Sequence, residues 1–182
     1  MAFTIFNEGT PVKINEVLLN KDKRVEQQNL LMKEDPTATI IATKLNIPGP
    51  IKNNHYLEEI FLTGIKELKS LIGDKLIKNE IIWQLKTGPE AFWVTDIPIK
   101  RAKEIAISFE DAFTLGRLFD VDVLSLKTKE VPLSRRDLGF EPRKCLICSR
   151  PAKECARSRK HSVLELQEKI SQMDRSYFNY AD

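Results

Sequence analysis

Apolar residues recur at helical spacing in four stretches of the chain, which predicts amphipathic α-helices there. In the first stretch, Val17, Leu18 and Leu31 follow this spacing without an intervening glycine or proline, and Asp35-Pro36 ends it. The predicted helices comprise residues 14–33, 56–71, 98–111 and 162–173.

Three shorter stretches combine β-branched and aromatic residues with flanking turn residues, which predicts strands. They comprise residues 38–44, 91–97 and 118–124. Proline and glycine interrupt the chain at residues 46–50 and 88–89, which predicts loops. Helices mixed irregularly with strands indicate a single α+β domain over residues 1–182, in which helices flank a mixed β-sheet.

The segment 134–158 is rich in arginine and carries cysteines, but it has little apolar periodicity. We therefore predict a basic, Cys/His-rich loop over residues 134–161 that needs an anchor other than a hydrophobic core. The final residues 177–182 are expected to fray.

Length and composition are those of an ordinary globular protein, with 182 residues of which 42% are hydrophobic and 30% charged. The first ten residues lack the basic region and long apolar run of a secretory signal. No apolar stretch approaches the roughly 20 residues that cross a bilayer. All three cysteines lie within 145–155, which argues against a disulfide scaffold. We expect a cytoplasmic protein without a membrane partner.

The charge is spread unevenly, although the net charge is only +3. Residues 135–160 carry nine basic and three acidic side chains, so this segment has a local charge of +6. Such a concentration of positive charge favours an anionic partner, which could be a polyphosphate, an acidic protein or a nucleic acid.

Two aspartates alternate with apolar residues in the predicted strand 118–124. Because residues two apart in a strand share a face, Asp120 and Asp122 should project side by side while Phe119, Val121 and Val123 face the core. Paired carboxylates raise each other's pKa unless a cation neutralises them, and hard oxygen ligands suit Mg²⁺. Asp120 and Asp122 are therefore candidate Mg²⁺ ligands, and the alternative is a polar strand face at the sheet surface.

Cys145, Cys148, Cys155 and His161 supply four soft ligands within 17 residues. A Cys-x₂-Cys pair can grip one Zn²⁺ from a tight turn, and a third cysteine with a histidine would complete a closed tetrahedral, structural site. Two alternatives are three free thiols beside a surface histidine, and a redox pair.

Taken together, the chain resembles the citrate lyase holo-acyl-carrier-protein synthases, also called apo-citrate lyase phosphoribosyl-dephospho-CoA transferases. The similarity extends from about Val12 to about Glu168 and includes Arg24, Gln28 and Leu30 near the N-terminus. The four stretches that carry it are NIPGPIK at 46–52, GPEAFWV at 88–94, GRLFDVDVL at 116–124 and SRRDLGFEPRKCLICSRPAKECARSRKHS at 134–162.

This resemblance implies a reaction of the nucleotidyltransferase type and a nucleotidyltransferase-like fold. The family transfers the phosphoribosyl-dephospho-CoA part of triphosphoribosyl-dephospho-CoA to a serine on the acyl-carrier (gamma) subunit of citrate lyase, and diphosphate leaves. A related activity acts on the carrier of malonate decarboxylase, and the cysteine-rich segment points to the citrate lyase side.

Phosphoryl transfer needs a divalent ion, positioning and positive charge on the phosphate oxygens. On that chemistry Asp120 and Asp122 would hold Mg²⁺ against the triphosphate, and one carboxylate, Asp120, could deprotonate the acceptor serine. The candidates for stabilising the transition state and binding substrate are Arg117, Arg135, Arg136, Arg143, Lys52 and the Gly49 loop.

Two other functions compete with the enzyme hypothesis. A nucleic-acid-binding protein of the zinc-knuckle type would explain the Cys/His cluster, but the unneutralised Asp120 and Asp122 would repel phosphates. A non-enzymatic assembly factor for citrate lyase would bind the carrier and tolerate loss of both aspartates. We expect an enzyme that has no nucleic-acid partner.

Overall fold

A computed structural model of the chain describes residues 4–128 and 133–179. The helices and strands alternate irregularly along the chain, as an α+β domain requires. In order they are α1 (Ile14–Glu34), β1 (Thr39–Leu45), α2 (His55–Ile72), β2 (Ile77–Trp83), β3 (Glu90–Thr95), α3 (Ile99–Ala112), β4 (Phe119–Leu124), α4 (Ala152–Ser158) and α5 (Val163–Phe178).

The four strands form one sheet in the order β2-β3-β1-β4. Every neighbouring pair is antiparallel, so the prediction of a mixed sheet is wrong. The connections between the strands explain the difference. Strands β2 and β3 form a hairpin, and the helical connections place both β3 and β4 antiparallel to β1, which lies between them. In this register Lys44 lies between Glu90 on β3 and Asp120 on β4.

One face of the sheet carries the larger core. Ile41, Trp93 and Val121 point from three strands into this core, where α2, α3 and α5 cover them. Phe119, Val121 and Val123 are all buried, which confirms the alternation predicted for the aspartate strand. Phe119 also packs so closely on α2 that a Cβ at Gly64 would lie 2.0 Å from its ring.

The other face of the sheet is covered mainly by α1. Leu31 and Met32 pack there on Ile40, Ala42 and Phe92 in a second, smaller apolar cluster. Beyond this cluster the same face carries the polar residues Glu90, Lys44 and Asp120, which are neighbours across β3, β1 and β4. This part of the face carries the candidate active site.

Three parts of the chain depart from the predicted elements. Strand β2 was not predicted at all, and the segment predicted as a loop contains the short helix α4. Tyr177 belongs to α5 rather than to a frayed end, while 180–182 lie outside the described residues. None of the helices in the described ranges has the length and apolar character that a membrane span needs.

Candidate active site

Asp120 and Asp122 lie on the face of β4 opposite the large core, as the sequence predicts. Lys44, the cross-strand neighbour of Asp120 on β1, places its Nζ 2.6 Å from Oδ2 of Asp120. Asp122 faces Ala42 across the same strands and remains exposed to solvent. Within the described parts of the chain, Asp122 has no ion-pair partner. One carboxylate is therefore paired with a cation and its neighbour is not.

The two carboxylates differ in pKa for this reason. Desolvation by the surrounding protein raises the pKa of Asp120, but the charge and hydrogen bond of Lys44 outweigh it, so the pKa falls below its ordinary value. For Asp122, desolvation and then the charge of Asp120 raise the pKa, and Lys44 only partly opposes them. A cation bound at Asp122 would relieve this repulsion, so the pair is suited to a metal ion.

Glu90 is a third carboxylate on this face and is almost completely buried. Arg24 of α1 donates to it through Nε at 2.6 Å and through Nη2 at 2.9 Å, and Asn20 donates through Nδ2 at 2.5 Å. This network anchors α1 to β3. It also holds Arg24 in place, where its charge acts on Asp122.

Side chains from outside the sheet form hydrogen bonds with backbone groups along the outer edge of β4. The N–H of Val121 donates to Oε1 of Glu110 at 3.1 Å, and Lys103 donates to the Val121 carbonyl at 3.4 Å. Arg143 donates to the carbonyl of Phe119 at 2.9 Å and pairs with Oε1 of Glu110 at 2.5 Å. The strand that carries the aspartates is thus fixed by α3 and by the basic segment.

The arginines predicted from the sequence converge on the end of α3, with one exception. Arg135 pairs with Glu110 at 2.8 Å and with Asp111 at 2.9 Å, so its guanidinium group already forms ion pairs with two carboxylates. Arg143 pairs with Glu110 as well. Arg136 is the exception, since its side chain is exposed beside Asp137.

Arg117 is the member of this cluster that is best prepared to receive an anion. Its Nη2 donates to the carbonyl of Lys144, but its buried Nη1 has no hydrogen-bond partner in the described ranges. Burial, followed by the charges of Arg143 and Arg135, lowers the pKa of Arg117. An anion that reached Nη1 would satisfy the donor and offset this repulsion.

Lys52 lies close enough to Lys44 for their charges to interact, and Gly49 lies against α5. The Nζ of Lys52 donates to the carbonyl of Ile47 at 2.5 Å, while burial and then the charge of Lys44 lower the pKa of Lys52. Gly49 has φ of +83°, and a Cβ there would lie 2.6 Å from Nε2 of Gln167 on α5. The positive φ is a sufficient reason for a glycine at this position, because the end of the Gln167 side chain could move aside.

Cys145, Cys148, Cys155 and His161 come together in one cluster, as their spacing predicts. Their ligand atoms all lie within 4.8 Å of one another, and such a group could hold a metal ion. The Sγ of Cys148 is 3.5 Å from that of Cys155 and 3.3 Å from Nε2 of His161. Zn–S bonds of about 2.3 Å in a tetrahedron put ligand atoms about 3.5–3.8 Å apart, so the donor set fits a tetrahedral ion.

A short hairpin supplies the first two cysteines of the cluster. The Cys145 N–H donates to the carbonyl of Arg150, and the Ala152 N–H donates to the carbonyl of Arg143, each at 2.8 Å. Burial raises the pKa of Cys145, but hydrogen bonds from the backbone around Cys148 outweigh it and lower the pKa overall. Burial and the neighbouring thiols raise the pKa of Cys155 to about 11.

Lys44, Glu90 and Asn20 are functional candidates that the sequence alone did not indicate. The register between β1 and its two neighbours brings Lys44 beside Asp120, and the packing of α1 brings Asn20 to Glu90. Of these three residues, only Lys44 could have been noticed in the sequence, because it is the one charged residue of the predicted strand 38–44. Arg24 entered the sequence analysis through the family resemblance alone.

Comparison with known proteins gives the family of the chain. The family profile described as apo-citrate lyase phosphoribosyl-dephospho-CoA transferase matches residues 12–177. A protein of Streptococcus pyogenes serotype M18 (strain MGAS8232), named probable apo-citrate lyase phosphoribosyl-dephospho-CoA transferase, is 38% identical over 180 residues, which cover 98% of this chain and 94% of that protein. A protein of Shigella boydii serotype 18 with the same name, without "probable", is 33% identical over 157 residues, which cover 85% of this chain and 84% of that protein.

A longer relative matches as well. Protein CitXG of Leuconostoc mesenteroides subsp. cremoris is 40% identical over 169 residues, which cover 92% of this chain. The same residues cover 36% of that relative, so this chain spans about a third of its length. Since the family profile and relatives of matching length agree, the chain belongs to the family of apo-citrate lyase phosphoribosyl-dephospho-CoA transferases.

Proposed function

We propose that this chain transfers phosphoribosyl-dephospho-CoA to the acyl-carrier subunit of citrate lyase. The donor is triphosphoribosyl-dephospho-CoA, and the acceptor is a serine hydroxyl of the carrier. The serine oxygen forms a bond to the phosphorus next to the ribose, the bond from that phosphorus to the leaving diphosphate breaks, and the serine proton passes to a base. A phosphodiester joins carrier and prosthetic group, so the reaction is of the nucleotidyltransferase type.

The observation that carries this proposal is the pair of aspartates on β4, of which only Asp120 has an ion-pair partner, Lys44, among the described residues. Asp120 and Asp122 are the residues that would hold Mg²⁺, since one is paired with Lys44 and the other has an elevated pKa that a second cation would relieve. When bound there, Mg²⁺ would neutralise charge on the triphosphate oxygens. Family membership then names the donor and the acceptor.

The chain's own residues divide the remaining work. Arg117 has an unpartnered buried Nη1, and it is the arginine we assign to the leaving diphosphate. Lys44 adds positive charge beside Asp120, and Lys52 adds charge near Lys44. We assign Arg135 and Arg143 to holding β4 in place, because both already pair with Glu110, which binds the backbone of this strand.

We assign the acceptance of the serine proton to Asp122 rather than to Asp120, the candidate named from the sequence. Lys44 lowers the pKa of Asp120, which makes that carboxylate a weak base. Asp122 is the more exposed of the two carboxylates, which leaves it accessible to a carrier serine.

We further propose that the Cys/His cluster binds a structural Zn²⁺. All four ligands come from the protein, which leaves no open position for substrate. The ion would anchor the hairpin that carries Arg143 and Lys144, where little apolar core is available. A cluster of reduced thiols suits the cytoplasm, where we place the reaction.

Intact mass spectrometry of the carrier tests the reaction. Apo-citrate lyase carrier is incubated with Mg²⁺, donor and either the wild type or the Asp120→Asn/Asp122→Asn variant, and Asp22→Asn on the exposed side of α1 serves as a matched control. We expect the wild type and the control to add the phosphoribosyl-dephospho-CoA mass, and the double variant to lose at least about 99% of the rate, a typical effect of removing a metal-binding pair.

Two results would count against the proposal. Equal modification by the double variant would keep the reaction but remove the metal site. Binding of the carrier without modification by any of the three proteins would support the assembly-factor alternative. The malonate decarboxylase carrier, used as a second acceptor, establishes which carrier is preferred.

A further inference from the structure

The segment 144–160 points its basic side chains outward from the Cys/His cluster. Six lysines and arginines and one glutamate give it a charge of +5. Glu154 lies 3.6 Å from Arg150, and the other five cations have no ion pair within the ranges described. The exposed basic residues are Lys144, Arg150, Lys153, Arg157, Arg159 and Lys160. We call this surface the basic knuckle.

This concentration of charge works against local stability. Helix α4 has only 7 residues, which is too short to be stable by itself. Lys153 and Arg157 also lie one turn apart, where like charges repel. The cluster ligands on either side hold the segment together in spite of this cost. A surface that keeps such repulsion is suited to an anionic partner that relieves it.

The partner that fits best is a protein rather than a nucleic acid. Residues 141–176 contain no phenylalanine, tyrosine or tryptophan, so this surface offers bases few stacking partners. It does offer exposed aliphatic side chains, at Ile147, Val163 and Leu164. Cys148 contacts His161, so Ile147, the residue before Cys148, lies on the same part of the surface as Val163 and Leu164, which follow His161. Aliphatic positions among cations resemble a protein interface.

The basic knuckle is also connected directly to the carboxylate site. The carbonyl of Lys144 accepts from Arg117, and Arg143 donates to the carbonyl of Phe119, the residue before Asp120. A protein bound on this surface would therefore lie beside the strand where the chemistry is proposed. This is the position that an acceptor protein must occupy.

We propose that the basic knuckle is the docking surface for an acidic face of the acceptor carrier protein. The inference rests on the proposed function, since that function makes the acceptor a protein. Docking here sets the affinity for the carrier, whereas Asp120, Asp122 and Arg117 act on the transferred group. Charge complementarity selects the partner, and the aliphatic residues add contact area.

Binding of immobilised apo-carrier, measured by interferometry at low and at moderate salt, tests the proposal. The test variant is Lys153→Glu/Arg157→Glu, and the matched control is Lys66→Glu/Lys100→Glu, which makes the same charge change at exposed positions of α2 and α3. Donor affinity, metal content and thermal unfolding are measured on each protein, so that a folding defect is recognised. A short single-stranded RNA serves as a second immobilised probe.

We expect the test variant to bind the carrier about tenfold or more weakly, and the control within about twofold of the wild type, with donor affinity unchanged in both. Equal carrier affinity of the two variants would overturn the proposal, and so would wild-type binding of RNA in preference to the carrier. If the wild type binds the carrier through this surface but transfers nothing, docking stands and the proposed reaction fails. If transfer proceeds and both variants bind alike, the reaction stands and docking fails.

Discussion

Asp174 on α5 is fully buried, and neither of its carboxylate oxygens has a hydrogen-bond partner in the described part of the chain. Burial and then the charge of Glu59 raise the pKa of Asp174 to about 6, and His55 only partly opposes them. The folded protein therefore binds this proton more tightly than the unfolded chain does. The resulting stability is complete below the unfolded pKa and is lost as the pH rises through about 6.

The replacement Asp174→Asn should remove the loss of stability that occurs as the pH rises. We expect the free energy of unfolding at pH 8 to rise by roughly 1–3 kcal/mol, with little gain at pH 4. Denaturant unfolding at the two pH values measures the effect, and Asp22→Asn, at an exposed position, should change little at either. An equal gain at both pH values would show that folding does not raise the pKa of Asp174.

At the scale of single residues, the sequence predicts what depends on local geometry. Asp120 and Asp122 share a face because strands have a period of two, whatever the rest of the fold does. Their partners were not predictable in this way. Lys44 and Asp120 lie 76 residues apart, and Arg24 and Glu90 lie 66 apart, so both pairs depend on the register and packing of the whole domain.

At the scale of elements, α2 can pack closely against β4 because Gly64 has no side chain. The space that a Cβ would need is filled by the ring of Phe119, the residue before Asp120. We expect Gly64→Ala to destabilise the fold by about 1–3 kcal/mol, because the ring and β4 must shift. It should also weaken transfer, since Asp120 moves with the strand.

Denaturant unfolding and the transfer assay measure these two effects. The matched control is Ser70→Ala, at an exposed position of the same helix, which should leave both quantities nearly unchanged. An alanine at position 64 without cost would mean that the ring of Phe119 can move aside freely, so that close packing of α2 on β4 contributes little to stability.

The Cys/His cluster ties together the hairpin, α4 and the start of α5. Cys148 is central to it, since its Sγ lies near both Cys155 and His161. We expect Cys148→Ser to lose the Zn²⁺ that we propose for this cluster and to increase amide hydrogen exchange over residues 143–161, while the sheet stays protected. Elemental analysis and exchange mass spectrometry measure both effects, with Ser149→Ala as the control. Unchanged exchange in a metal-free variant would refute the anchoring role.

The elements that were missed have a common cause. Strand β2 lies at the edge of the sheet, and most of its side chains are exposed or half-buried, so no apolar alternation marked it. Helix α4 has 7 residues and a single buried one, Cys155. Elements that bury little leave little periodic signal in the sequence. The long helices and the three better-covered strands were found because each buries an apolar face.

At the scale of the whole molecule, strand direction depends on which connections cross the sheet, and local patterns carry no such information. The predicted mixed sheet was wrong for this reason, whereas the α+β class was correct. The Cys/His cluster was predictable as a set because its ligands lie within 17 residues.

The uneven charge of the molecule leads to a prediction about transfer. If the basic knuckle attracts an acidic carrier, kcat/KM for the carrier should fall about tenfold between about 50 and 200 mM salt, with kcat little changed. Steady-state kinetics at several salt concentrations measures this slope. The Lys153→Glu/Arg157→Glu variant should have a flatter slope, and an identical slope in both proteins would argue against steering by this surface.

The outer edge of β4 has a further consequence, which concerns solubility. A strand at the edge of a sheet can pair with a strand of another molecule when its backbone N–H and C=O groups are free. Here Glu110, Arg143 and Lys103 occupy those groups at Phe119 and Val121. The side chains that hold the aspartate strand in place therefore also protect it from intermolecular pairing. Replacement of Glu110 would expose this edge, and self-association would then reduce activity as the protein concentration rises.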